Sequence, residues 1–372
     1  MIKRILSLIC IATVLNIGVS KAQESATIDT ITTSSDSVLL QDREVILDEM
    51  VKEYKKRQPL EVNFDVRADW QLNAPGIDGQ KTETGFSGKF LNLIINGNIN
   101  HQWAYHLRHR INKLNLTQDF FEATDFAYVT YQPHSQWELS AGKYVVGIGG
   151  FEYDAAPIDV YYYSIGGGNM PACYEFGVSG KFTTKKGNNS IFLQVTNSPF
   201  TSKSYRFEGL YAYNLMWYGN FNVFQTIYSV NMIEYAPNKY FNYIALGNKF
   251  NFGPVTWYID YLNRYALKGH FFTDFSIISR LDCNIRNRAS IFVKAGIDYN
   301  KSQSAETATE DIWDTVVLPG TNRVFYGAGV EFYPMKNSHD VRLHAYWSSS
   351  NENFREHNVG IGIRWLLHAY KH

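Results

Sequence analysis

The chain has 372 residues, 16% of them aromatic, with 35 basic and 35 acidic side chains. Without Lys3, Arg4 and Lys21, which belong to a removable N-terminus, 32 basic groups face 35 acidic ones, a net of −3 and no nucleic-acid footprint. The length admits two soluble domains or one large barrel. Past the N-terminus no apolar run is long enough for a membrane helix, so aromatic content and periodicity must decide.

Met1 to Ala22 reads as a secretory signal: Lys3 and Arg4, an apolar run from Ile5 to Val19, then Ser20-Lys21-Ala22 with cleavage before Gln23. A lipoprotein site at Cys10 is disfavoured, because Ile9 stands where a small residue is needed. Residues 23–60 form a periplasmic leader, poor in buriable residues over 23–41. Within it Leu47, Met50, Val51 and Tyr54 share one face of a short helix over 42–56. That helix either packs on the barrel mouth or a neighbouring subunit, or is a solvated spacer.

From residue 61 to 372 the pattern is that of strands. Val62, Phe64, Val66, Ala68, Trp70, Leu72 and Ala74 point one way; Asn63, Asp65, Arg67, Asp69, Gln71 and Asn73 point the other. Globular strands usually run about five or six residues, whereas a tilted strand needs about 9–11 to cross a bilayer core. Sixteen such strands are expected near 62–74, 85–97, 102–115, 121–132, 136–145, 173–183, 189–198, 206–219, 221–232, 239–251, 254–264, 271–283, 288–300, 321–333, 339–349 and 356–368. The fourth, ninth and twelfth alternate poorly, so fourteen is the alternative count. Clear apolar faces include Tyr174/Phe176/Val178/Phe182 and Val359/Ile361/Ile363/Trp365/Leu367.

Even-to-odd connections are short and odd-to-even ones tend to be long, the sorting of outer-membrane barrels, with turns in the periplasm and loops outside. Seven tryptophans lie on the apolar parity and gather towards strand ends, as an interfacial girdle does; Trp313 lies in a loop. The fold class is therefore all-β, a transmembrane antiparallel β-barrel in the outer membrane of a Gram-negative bacterium, facing lipid outside. Cys173 and Cys283 fall at opposite ends of their strands, too far apart for a disulfide, whose Cα atoms lie about 4.4–6.8 Å apart.

No constellation calls for catalysis, a cofactor or a metal. Gly147, Gly149 and Gly150 lack the Lys-Ser/Thr of a phosphate loop and read as flexible loop glycine. His106 and His109 have opposite parity, which argues against shared metal ligation. The lumen parity carries Arg67, His106, Arg108, Arg110, Arg342 and Arg364 on strands that lie close together once the barrel closes. The acids Asp65, Asp69, Glu138, Glu175, Glu208, Asp260, Asp298 and Glu331 are more widely spread. A charged wall implies a wet lumen, either selective or merely mixed. The longest loop, Val146 to Pro171, is rich in aromatics and carries Glu152, Asp154 and Asp159. Folded inwards, it would set these acids opposite Arg67, Arg108, Arg110 and Arg364 as counter-charges.

Lys89-Phe-Leu-Asn-Leu through Arg108-His-Arg110, followed by Ala141-Gly-Lys-Tyr-Val-Val-Gly-Ile-Gly-Gly-Phe151, resembles the phosphate-selective porin O/P family. The resemblance spans 62–368 and implies a sixteen-stranded, trimeric diffusion channel with basic residues at a constriction. The family's arginine ladder and lysine cluster do not match residue by residue, which leaves phosphate preference open. The leading expectation is a porin for small hydrophilic solutes or anions. Alternatives are a plugged structural or secretion-associated barrel and, third, a phospholipase-type enzyme, which would need a Ser-His pair on the lipid-facing parity.

Overall fold

The computed structural model describes residues 60–76, 81–113, 119–168, 173–200, 209–266, 271–286, 288–301, 316–336, 338–351 and 356–371. The expected signal sequence, leader and helix over 42–56, together with Trp313 and Glu208, lie outside them.

The described residues form sixteen strands: β1 (Glu61–Ala74), β2 (Glu83–Asn98), β3 (Trp103–Arg110), β4 (Thr124–His134), β5 (Trp137–Val145), β6 (Tyr174–Thr183), β7 (Asn189–Asn197), β8 (Tyr211–Phe221), β9 (Phe224–Ala236), β10 (Lys239–Phe252), β11 (Val255–Ala266), β12 (Asp274–Ile285), β13 (Ala289–Asn300), β14 (Asn322–Phe332), β15 (Val341–Ser350) and β16 (Glu356–Lys371). Each pairs antiparallel with its sequence neighbours, and β16 returns to β1 to close the barrel, with Trp70 opposite Ile361. Closure removes the free edges that lipid cannot satisfy. All three weakly alternating strands are present, so the count is sixteen.

Burial alternates as the pleat requires. Along β13, Ile291, Val293 and Ile297 are exposed on the outside, while Phe292, Lys294 and Asp298 are buried within. Trp103, Trp137, Trp347 and Trp365 are exposed on the outer surface. The indole Nε1 groups of Trp217 and Trp257 donate to Asn189 Oδ1 at 3.0 Å and Ser279 Oγ at 2.9 Å. Aromatic stacking between strands, Trp103 on Tyr131 at 4.7 Å for example, extends the belt at the short-turn end.

Three departures have local causes. β3 ends at Arg110, short of the expected 115, because Asn112 substitutes for the strand: its Oδ1 accepts from Leu91 N at 3.0 Å and its Nδ2 donates to Lys89 O at 3.1 Å. Tyr174 sits on the apolar parity but is enclosed, accepting from Arg108 Nη2 at 2.8 Å and packing edge-on against Phe126. The connection between β9 and β10 is only Pro237-Asn238, with Asn238 at φ 60°, an odd-to-even link as tight as the periplasmic turns.

The thiols of Cys173 and Cys283 are unpaired. Cys173 precedes β6 at the loop end, and Cys283 lies opposite Val255 at the turn end.

The wall assignment predicts that Val293→Arg or Ile361→Arg destabilises the barrel by about 2–4 kcal/mol if the site lies near the midplane. Single cysteines at positions 66 and 363 should react with lipid-soluble reagents and those at 67 and 364 with aqueous ones. The opposite pattern would invert the barrel.

The lumen and its inward loop

Residues 146–168 leave β5 and turn into the barrel. Gly147 and Gly149 are positions of close approach and not flexible spacers: a Cβ at Gly147 would stand 2.7 Å from Met216 Sδ, and one at Gly149 2.9 Å from Ile227 O. Gly150 follows at φ 104°, which L side chains avoid. Two short helical turns, α1 (Phe151–Asp154) and α2 (Ile165–Gly168), lie within the segment.

A buried irregular backbone must find hydrogen-bond partners, and the wall supplies them. Gln194 Oε1 accepts from Gly147 N at 2.7 Å, and its Nε2 donates to Val145 O at 2.8 Å. Gly149 N donates to Ser229 Oγ at 2.8 Å. Asp260 receives Phe151 N and Glu152 N at 2.9 and 2.8 Å. Asp298 receives Ile165 N and Gly166 N at 2.8 and 3.3 Å. On the far side, Arg67 Nη1 donates to Ile158 O at 3.0 Å and Val160 O at 3.2 Å.

Apolar packing joins these bonds. Ile148, Phe151, Ile158 and Val146 are buried against Phe192, Met216, Ile227, Phe241, Tyr243, Leu262 and Ile278 of the inner wall. The lumen face under the loop is therefore apolar at these positions, which the alternation of β1 does not foretell. Tyr161 is held between the rings of Phe292 and Tyr346 at 5.4 and 5.1 Å, with the Arg67 guanidinium 4.7 Å from its centroid. Its hydroxyl donates to Glu331 Oε1 at 3.0 Å.

The expected arginines all line the inner wall, but they meet different carboxylates. Asp159 is the loop acid that joins the basic strip, with Arg342 Nη1 at 2.5 Å and Arg364 Nη1 at 2.8 Å. Arg364 also clasps Asp65 of β1 at 2.8 Å. Arg67 pairs with Asp69 at 2.6 Å, and Asp69 in turn meets His344 Nε2 at 2.9 Å. Glu152 pairs instead with Lys294, and the Ser164 hydroxyl also donates to it. Asp154 is buried on α1.

Arg108 and Arg110 meet a carboxylate of their own wall. Asp125 Oδ2 lies 3.2 Å from Arg108 Nε and 2.7 Å from Arg110 Nε. Asp125 has outward parity in a regular strand. A bulge opposite Arg108/His109 adds one residue to β4 and turns it inwards beside Phe126. The Arg108 guanidinium lies 4.1 Å from the Phe126 centroid, and that of Arg110 4.9 Å from Phe90. His109 faces outward, with Nδ1 2.9 Å from Thr124 Oγ1, while His106 packs inside against Phe126.

Several lumen charges escaped notice in the sequence. Lys294, Arg264, Arg280 and Arg323 are on the inner side, the last three paired with Asp274, Asp282 and Asp298 at 2.8, 3.1 and 3.2 Å. The parity of Ile291 and Val293 would have placed Lys294 within.

Burial alone would raise the Asp159 carboxyl; the Arg364 and Arg342 guanidiniums outweigh it and hold the group below the usual aspartate range. Since the folded value lies below the unfolded one, the pairing contributes fully above the ordinary aspartate value and is lost as pH falls through the folded one. Pore current should therefore be steady from neutrality down to the ordinary aspartate range and become noisy only below it. Asp159→Asn should show the noisy state at neutral pH, and a variant as quiet as wild type would rule out this role for the Asp159 pairing.

Residues 60–267, more than half of the chain, match the family described as phosphate-selective porin O and P. Among curated proteins none matches. The fold is similar to the anion-selective porin from Comamonas acidovorans (TM-score 0.60, 9% identity, 84% of this chain and 100% of that one). It is also similar to the trimer form of OmpT, an outer membrane protein from Vibrio cholerae (0.53, 11%, 84% and 100%). A mutant porin from Rh. blastica gives a TM-score of 0.54 at 12% identity, over 83% of this chain and 100% of that one. A closed sixteen-stranded barrel with a loop on its inner wall and the family match over β1 to β11 lead to one conclusion: the chain belongs to the phosphate-selective porin O and P family and is an outer-membrane porin.

Proposed function

We propose that this porin passes small hydrophilic solutes passively and prefers anions. One observation carries the preference: Arg108 and Arg110 share the single carboxylate of Asp125. Elsewhere on the strip, Arg67 has Asp69, Arg364 has Asp65 and Arg342 has Asp159. On β3, two guanidiniums thus converge on one carboxylate. Guanidinium stays charged at every relevant pH and presents several donors to an oxyanion. An anion passing close to it gains attraction without being held tightly, and no covalent step, cofactor or metal is needed. The description of the family as phosphate-selective and the anion selectivity of the Comamonas porin support this reading. Assembly as a homotrimer is proposed with it, supported by the trimer form of OmpT.

A plugged structural barrel is the second reading, favoured by the apolar contact between loop and wall. Bilayer recordings separate the two, since a porin passes steady ohmic current and a plugged barrel none. In a salt gradient the reversal potential of wild type should report anion preference. The Arg108→Ala, Arg110→Ala double variant should move it towards zero or beyond, and equal potentials and conductances would refute the assignment.

A further inference from the structure

The turn end of the barrel is not uniform around its circumference. In the β8–β9 turn Phe221 and Val223 are 42% and 47% exposed, and in the β10–β11 turn Phe252 is 56% exposed. Residues 220–224 and 251–255 contain no charged side chain. The turns on either side differ: Lys185 and Lys186 are exposed between β6 and β7, and Arg286 and Arg288 between β12 and β13. A contiguous apolar patch rimmed by charge marks a place of contact with something other than water.

The turn tips continue a sheet of rings on the outer wall. Trp217, Phe221, Phe224, Phe250, Phe252 and Trp257 follow one another at centroid distances of 5.1 to 6.4 Å. A belt tryptophan ordinarily keeps its polar edge among headgroups and water. Here the wall supplies the acceptors: Asn189 Oδ1 for Trp217 Nε1 and Ser279 Oγ for Trp257 Nε1. The Tyr228 hydroxyl likewise donates to Asn248 Oδ1 at 2.7 Å. The turn backbone is served in the same way. Val223 O accepts from Asn251 N and Pro254 O from Asn284 N, both at 2.8 Å, and Pro254 has no N–H to place. Polar groups satisfied within the protein are what hydrocarbon demands of a segment that lies in it.

We infer that this sector is seated in the periplasmic leaflet, with the β8–β9 and β10–β11 turns among the acyl chains of phospholipid and not in the periplasm. The flanking Lys185, Lys186, Arg286 and Arg288 mark the headgroup level, since long basic side chains reach lipid phosphates from the edge of the hydrocarbon. The patch is continuous with the lipid-facing wall. It suits lipid better than a second copy of the chain, because protein surfaces that pack closely in a membrane favour small residues, and the rings here are large. The barrel then sits deeper on the β8–β11 side, with its axis inclined to the membrane normal. This seating concerns the outer wall and does not depend on which solute the pore passes.

Spin-label accessibility tests the seating on the full chain in vesicles of phosphatidylethanolamine and phosphatidylglycerol. The native cysteines are replaced by serine, and one nitroxide is attached at Val223→Cys, at Phe252→Cys or, for comparison, at Lys186→Cys. Oxygen concentrates in hydrocarbon and a nickel chelate in water. Labels at 223 and 252 should collide more with oxygen than with the nickel chelate, and the label at 186 the reverse. Heat-modified gel mobility confirms that each labelled protein is a folded barrel. Nickel collisions in excess at 223 and 252 would place these turns in water and overturn the seating. Labels there that are shielded from both reagents would place protein on the patch, a second copy if the labels broaden one another, and would overturn it equally. The same ratio at 186 as at 223 and 252 would remove the inclination of the barrel, and with it the inference.

Discussion

A loop that enters a closed barrel exchanges water for side chains, and every peptide group on it then needs a partner from the wall. That constraint organises the lumen. Asp260 and Asp298 each receive two consecutive amide groups, Gln194 bridges a donor and an acceptor, and Arg67 serves two carbonyls. The wall residues are spread over β1, β7, β11 and β13, so the loop ties together strands far apart around the barrel. Removing one acceptor strands a buried donor, which costs about 1–3 kcal/mol, so the loop is built to stay in one position.

The same constraint shapes the electrostatics. Guanidiniums in a partly dry lumen are tolerable when matched, and the wall matches Arg67, Arg264, Arg280, Arg323, Arg342 and Arg364 with carboxylates. On β3 two guanidiniums share Asp125. Counting charges along a strand misses this, because Asp125 reaches the inner face only through the bulge in β4.

The barrel was largely legible in the chain because lipid on one face and a lumen on the other impose a period of two that nothing else sustains over thirteen residues. Closure and the tryptophan belt follow from it, whereas the alternation leaves the count open between fourteen and sixteen and the inward course of the loop rests on its length and aromatic content. The legible part ends where side chains imitate backbone or where registry slips: Asn112 ends β3 early, and the bulge beside Arg108 turns Asp125 to the inner face. Pairings such as Arg364 with Asp65, 299 residues apart, follow from closure, but the choice of Asp159 over Asp154 as the strip's loop partner depends on a path through the lumen that no local pattern records. The glycines at 147 and 149 looked like loose loop because only the wall opposite reveals why a side chain cannot fit.

The amide groups of residues 151, 152, 165 and 166 staple the inward loop to Asp260 and Asp298 of the wall. Single-channel conductance of wild type against the Asp260→Ala, Asp298→Ala double variant tests this most directly. Wild type should be a quiet, narrow pore, and the variant should show larger current and frequent fluctuations. Identical conductance and identical noise in the two proteins would contradict it.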